Sequence, residues 1–155
     1  MGRHLIFAML PLSAYAQCAS TASTMKPFVP PKPYPATAYN GKSWYGTAEL
    51  WTVPLDNLHV IHGGARISAK FVYWRAGFDW LQEPQPLLSV VAKRLDAPAP
   101  LIWAGQANGV THNPDNDNPG DMAMMTGIAF TEAGCWEVSA TYRGHTLSYV
   151  LNVKP

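Results

Sequence analysis

The feature that most narrows the fold is the alternation in the run from Gly134 to Pro155. Trp136, Val138, Ala140 and Tyr142 alternate with Cys135, Glu137, Ser139 and Thr141. After Arg143-Gly144, the residues Leu147, Tyr149, Leu151 and Val153 alternate with Thr146, Ser148, Val150 and Asn152. Period two on both sides of a short glycine-containing turn predicts a β-hairpin with one buried face. A hairpin of this length needs a second apolar surface to cover that face, so the chain is expected to close a sandwich core.

Strand signals recur upstream at sandwich-like spacing: residues 43–52, 69–74, 87–95, 101–107, 122–130, 135–142 and 146–153, with a weaker one at 58–62. Glycine and proline punctuate nearly every gap, as at Pro54, Gly63-Gly64, Pro84, Pro98, Pro114, Gly120 and Gly134. No segment sustains helical periodicity, and a short turn of helix at residues 79–83 is the one candidate. The expected fold is all-β: a single immunoglobulin-like antiparallel β-sandwich of about seven to eight strands, preceded by an extended Pro-rich segment. Hydrophobic residues make up 48% of the chain, which removes disorder as a description of the main body.

The N-terminus has a different character. Arg3 and His4 precede an apolar run from Leu5 to Leu12, and Ser13-Ala14-Tyr15-Ala16 carries small residues at the cleavage-reading positions. That order predicts a signal peptide over residues 1–16 and a mature chain starting at Gln17. The apolar run is shorter than the roughly twenty residues a membrane span needs, so no transmembrane span is expected once the signal is removed. Residues 17–43 then pass from small residues into Lys26-Pro-Phe-Val-Pro-Pro-Lys-Pro-Tyr-Pro35, where closely spaced prolines predict extended backbone. This segment is either a spacer, or a strap laying Phe28, Val29 and Tyr34 on the domain of residues 44–155.

Cys18 and Cys135 are the only cysteines. In an oxidising compartment a bridge between them would close a very long loop, worth roughly 4–5 kcal/mol in the chain-entropy model. The competing reading makes Cys18 a lipid-modified N-terminal residue, although Tyr15-Ala16-Gln17 poorly matches the small residues that precede such a cysteine. The expected address is secreted or periplasmic. With a formal net charge of +1 and no cluster of Lys and Arg, a nucleic-acid partner is not expected.

Trp44-Tyr45-Gly46, Phe71-Val-Tyr-Trp-Arg-Ala-Gly-Phe78, Arg94-Leu-Asp-Ala-Pro-Ala-Pro100 and Gly134-Cys-Trp-Glu-Val138 together resemble a group of small secreted bacterial sandwich proteins of unassigned function. The resemblance spans residues 44–153 and is most specific in the Gly-Cys-Trp-Glu-Val hairpin. It implies an exported sandwich domain and supplies no catalytic residues.

Several constellations could carry chemistry. Asp115, Asp117 and Asp121 offer hard oxygen ligands for calcium, but Pro119 and Thr126 stand where a helix–loop–helix calcium site needs ligands. The same run also reads as turn chemistry. His112 with Met122, Met124 and Met125 offers imidazole and thioethers, a set that suits copper; methionines on a strand also serve as core filling. His59 and His62 lack the glutamate and helical spacing of a zinc protease. No nucleophile elbow is present, and Asp79 with Glu83 is the nearest approach to a carboxylate pair outside the acidic run.

Six tryptophans must share core and surface. Trp74, Phe78 and Trp80 are the expected contact surface, a flat aromatic platform for a protein or glycan partner; the alternative is that they plug the sandwich. The expected role is a non-catalytic binding or assembly module at the bacterial surface or in the periplasm, with no obligatory cofactor. A periplasmic copper carrier built on the His/Met cluster is the alternative, and an enzyme comes third.

Overall fold

The computed structural model describes residues 18–56, 58–59, 67–111 and 122–154. Among the described residues a short helix α1 (Thr21–Thr24) and a 3-10 turn (Tyr39–Gly41) are followed by strands only. These are β1 (Tyr45–Thr47), β2 (Leu50–Thr52), β3 (Leu58–His59), β4 (Ile67–Trp74) and β5 (Ser89–Arg94). They continue as β6 (Ile102–Trp103), β7 (Asn108–Thr111), β8 (Met122–Phe130), β9 (Gly134–Tyr142) and β10 (His145–Lys154). Two sheets result, ordered β1-β2-β4-β8-β7 and β3-β10-β9-β5-β6. All pairings are antiparallel except the two-residue contact of β3 along β10.

The C-terminal hairpin forms as its alternation requires. Trp136, Val138 and Ala140 of β9 face Leu151, Tyr149 and Leu147 of β10 in register, and all six are buried. The intervening residues meet as a polar ladder on the outer side, with the Ser139 and Ser148 hydroxyls 2.7 Å apart and those of Thr141 and Thr146 2.9 Å apart. Tyr142 pairs with His145, so the connection is the two-residue turn Arg143-Gly144, with φ of 48° and 81°. Positive φ at both positions is what a twisted two-residue hairpin demands.

The core lies between the sheets. β4 contributes Ala69, Phe71 and Tyr73, and β8 contributes Met124, Ile128 and Phe130. They pack against Val90, Ala92 and the inner residues of β9 and β10. Burying each large apolar side chain supplies roughly 1.5–3 kcal/mol. The phenol oxygens of Tyr73 and Tyr149, one from each sheet, lie 3.4 Å apart at the centre of this core, and burial pushes the pKa of both phenols up.

A second apolar cluster occupies the opposite face of the first sheet and decides the fate of the Pro-rich segment. Trp44, Trp51, Val53, Trp74 and Ala123 are buried there beneath Tyr34 and Ala38. Phe28 bridges to Trp44 through backbone pairing, and the Trp44 indole N–H donates to the Pro35 carbonyl at 2.9 Å. Residues 28–38 therefore lie as a strap over the sheet through Phe28 and Tyr34, whereas Val29, expected to pack with them, is 65% accessible because it faces away from the cluster. Proline suits this position because a strap lying on side chains rather than in a ladder needs few backbone donors.

The strap is tied at its start. Cys18 is disulfide-bonded to Cys135, with Cα atoms 5.4 Å apart and 117 residues of sequence separation. A sulfur so engaged cannot also carry a thioether-linked lipid. Just beyond it, the Val150 amide donates to the Thr21 hydroxyl at 2.8 Å, so α1 satisfies a donor on the edge of β10.

Three expectations are corrected. The strand foreseen at residues 43–52 folds back as the β1–β2 hairpin, because Thr47 pairs with Leu50 and leaves a two-residue turn. The strand foreseen at 101–107 divides: the Ala104 amide bonds to Val90 in one sheet and the Gly105 amide to Gly127 in the other. The chain thus changes sheets between adjacent residues, at Gly105 in a run that otherwise reads as one strand. At 79–83 the amides of Gln82 and Glu83 both donate to the Asp79 carbonyl, giving a turn that Pro84 stops from extending as helix. No helix among the described residues is long and apolar enough to cross a membrane.

Candidate functional site

The chain segments leaving β4 and joining β9 to β10 meet at one end of the sandwich and enclose a depression of about 280 Å³. Its floor is apolar. Phe78 is buried edge-on to Tyr142, with ring centroids 6.4 Å apart. Two cations lie over the same tyrosine: the Arg75 and Arg143 guanidinium carbons are 5.8 Å and 5.3 Å from its centroid.

Glu83 holds this arrangement together. Its Oε2 accepts the Tyr142 hydroxyl at 2.5 Å and Nη2 of Arg143 at 2.8 Å. Burial raises the Tyr142 pKa and the neighbouring Glu83 carboxylate raises it further, against smaller opposing effects of Arg143 and Arg75. The phenol is therefore a fixed donor near neutral pH. Glu83 is positioned from behind by β7, where the Gly109 amide donates to the Pro84 carbonyl at 2.8 Å. A Cβ at Gly109 would stand 2.7 Å from Cβ of Trp80 and 3.0 Å from the Glu83 carbonyl oxygen, so the loop approaches this closely only over glycine.

The other wall is set by the turn after β4. The Leu81 amide donates to Oδ1 of Asp79 at 2.8 Å, an Asx-type contact that shapes the loop. The Tyr34 hydroxyl donates to the Arg75 carbonyl at 2.8 Å and accepts the Gly77 amide at 3.1 Å. The strap thereby fixes the backbone from which Arg75 projects. Burial raises the Tyr34 pKa, while the backbone hydrogen bonds from this turn work in the opposite direction.

The expected aromatic platform is not exposed. Trp74 is 1% accessible in the cluster beneath the strap, packed 4.8 Å from Trp44 centroid to centroid, and Phe78 is 5% accessible. Trp80 is half-buried against the main core. Among the described residues the large aromatics left exposed are Trp103, 64% accessible on the edge strand β6, and Tyr39, 43% accessible. Burial follows from position: Trp74 stands at an outward position of β4 that the strap then covers, whereas Trp103 lies on β6 at the edge of its sheet, paired among the described residues with β5 alone.

The methionines of the expected copper set do not share a face. Met124 is fully buried in the main core and Met122 packs on the same side, while Met125 pairs with Val72 on the side facing the second cluster. Asp79 and Glu83 both line the depression, so that sequence pair is brought to one site. His112, Asp115, Asp117, Asp121, His62 and residues 1–16 lie outside the described residues. Among the described residues, no group of three or more His, Cys, Asp or Glu converges in a way that could hold a metal ion.

Arg75, Tyr142 and Arg143 had no standing as site residues in the sequence. The available signal was Arg143 itself, because a two-residue hairpin turn is ordinarily filled by Asn, Asp or Gly. The chain matches no protein-family model, no curated protein and no solved structure.

Proposed function

We propose that this protein is an exported, immunoglobulin-like β-sandwich module that acts by binding rather than by catalysis, in the periplasm or at the bacterial surface. The observation that carries the reading is the pair of arginines, Arg75 and Arg143, gathered over Tyr142 beside Glu83 at the mouth of a formed depression. Glu83 spends one oxygen on two donors from within the protein, which suits a carboxylate that orients neighbours. The Cys18–Cys135 bridge supports export, since structural disulfides persist in oxidising compartments. The two five-stranded sheets support the sandwich architecture.

The reading is tested on protein recovered from its native host. Intact mass should match Gln17 to Pro155 less two hydrogens, with no stoichiometric metal. An unprocessed chain with two free thiols overturns export, and bound copper overturns the metal-free reading. NMR titration with a panel of carboxylates and sugars should give saturable shifts confined to residues 75–83 and 142–144; new product resonances would overturn the non-catalytic role.

A further inference from the structure

We propose that the depression between Arg75 and Arg143 binds the carboxylate of an acidic sugar, a uronic-acid type of ligand with one negative charge and several hydroxyls. This names the ligand chemistry of the site on which the binding reading rests.

The guanidinium groups supply the contact for a carboxylate. Arg75 makes no ion pair among the described residues, and Arg143 meets a carboxylate through Nη2 alone while its side chain is 58% accessible. Two guanidinium groups over one ring leave donors for a planar carboxylate, which such forks recognise in bidentate fashion. Asp79 and Glu83 line the same space and balance the two arginines, so a ligand is held by local contacts to the guanidinium groups, and each further negative charge it carries adds repulsion from the two carboxylates.

The remaining polar groups suit hydroxyls. Gln82 carries an amide at the lining, and Asp79 commits Oδ1 to the Leu81 amide. Acceptors and donors of this kind take sugar hydroxyls rather than an apolar body. Tyr142 and Phe78 are 1% and 5% accessible, so their ring faces are not presented for stacking and recognition is polar. The volume of about 280 Å³ falls just below the range occupied by drug-sized ligands, which fits one ring-sized group.

The turn supplies an independent reason. Arg143 has φ of 48°, a left-handed conformation that a non-glycine residue adopts only at a cost. Glycine would fill the turn without that cost and asparagine with less of it, so the arginine stands here against local preference, and such strain collects at ligand-binding positions.

The experiment titrates the isotope-labelled, disulfide-bonded protein with D-glucuronate, D-glucose, acetate and sulfate, following amide and guanidinium resonances. Glucuronate is expected to give saturable shifts at Gly77, Gln82 and Gly144. Glucose, acetate and sulfate should each bind at least about tenfold more weakly, as expected when half of a two-part recognition is absent. Arg75→Gln and Arg143→Asn should each weaken glucuronate about tenfold or more, the scale of a lost charge-assisted contact. Asparagine tolerates the left-handed turn, so the Arg143 variant keeps its fold and its remaining spectrum. Acetate or sulfate equal to glucuronate, glucose equal to glucuronate, or no saturable response at these residues overturns the acidic-sugar site. None of those results alters the mass and turnover measurements, so failure of the ligand assignment is distinguishable from failure of the exported, non-catalytic reading.

Discussion

The hydroxyl of Tyr34 donates to the main-chain carbonyl of Arg75 across 41 residues of sequence, at 2.8 Å. One side chain of the strap therefore holds the turn that carries one of the two site arginines. Because the strap begins at the Cys18–Cys135 bridge, the disulfide, the strap and the depression form one connected support.

Tyr34→Phe keeps the ring against Trp51, where the centroids lie 4.9 Å apart, and removes both hydrogen bonds to the turn. The expected cost is about 1–3 kcal/mol, since the Arg75 carbonyl and Gly77 amide lose a partner in a partly buried place. Urea denaturation measures the loss, and the Gly77 amide resonance should move while those of β9 and β10 stay. An unchanged Gly77 shift would argue against the strap as a support of the site.

Reduction of the Cys18–Cys135 bridge, or the Cys18→Ser/Cys135→Ser double variant, should lower unfolding stability by roughly 3–5 kcal/mol. The 117-residue separation is the reason, because opening so large a loop restores much freedom to the unfolded chain. Denaturation with and without reductant checks the value. Proteolysis of the reduced form should cut first within residues 18–38.

At the opposite end of the sandwich, Nε of Arg94 donates to Oδ1 of Asp96 at 2.8 Å, and Arg94 also pairs with Glu132. Partial burial alone would raise the Asp96 pKa, but the hydrogen bonds from Arg94 and from the Cys135 backbone outweigh it and the net shift is downward. A carboxylate with a depressed folded pKa contributes stability that is present above its unfolded pKa and is lost as pH falls through the folded one. Stability measured from pH 6 down to about pH 2 should therefore decline in the acid limb, and Asp96→Asn should flatten that limb. An identical acid limb in the variant would remove Asp96 from the account.

Trp74→Ala should cost about 3–5 kcal/mol, as for other buried large aromatics, whereas Trp103→Ala should stay within about 0.5 kcal/mol. The two residues differ in accessibility, 1% against 64%. Acrylamide quenching provides the second readout: most of the quenchable tryptophan emission should vanish with Trp103→Ala and persist in the Trp74 variant.

The legible parts of the fold were those whose information is local. β9 and β10 appear close to their expected bounds because polar and apolar residues alternate along each with the inner face buried, and β8 matches its expected bounds as a mostly apolar run of nine residues. The β6–β7 crossover was not legible, because Ala104 and Gly105 direct consecutive amides to different sheets, and a single glycine in a strand-like run does not say that the chain leaves one sheet for another. The tryptophans show the same limit: alternation places Trp51 and Trp74 on the face of the first sheet away from the main core, which alone would expose them, and only the strap buries them.

Of the candidate site, Asp79 and Glu83 could be named in advance as neighbouring carboxylates. Their partners could not, since Tyr142 reaches Glu83 from 59 residues away. Side-chain periodicity, turn glycines and proline content act over a few residues, so by itself the amino-acid sequence determined the all-β class, the closing hairpin, the extended N-terminal segment and the two cysteines available for pairing. The tertiary structure alone decided that the extended segment is a docked strap, that Cys18 pairs with Cys135, and that Arg75, Glu83, Tyr142 and Arg143 share one depression. Those outcomes depend on which surfaces come together when the sheets pack and the strap covers the first of them, and contacts between residues so distant along the chain leave no periodic trace in it.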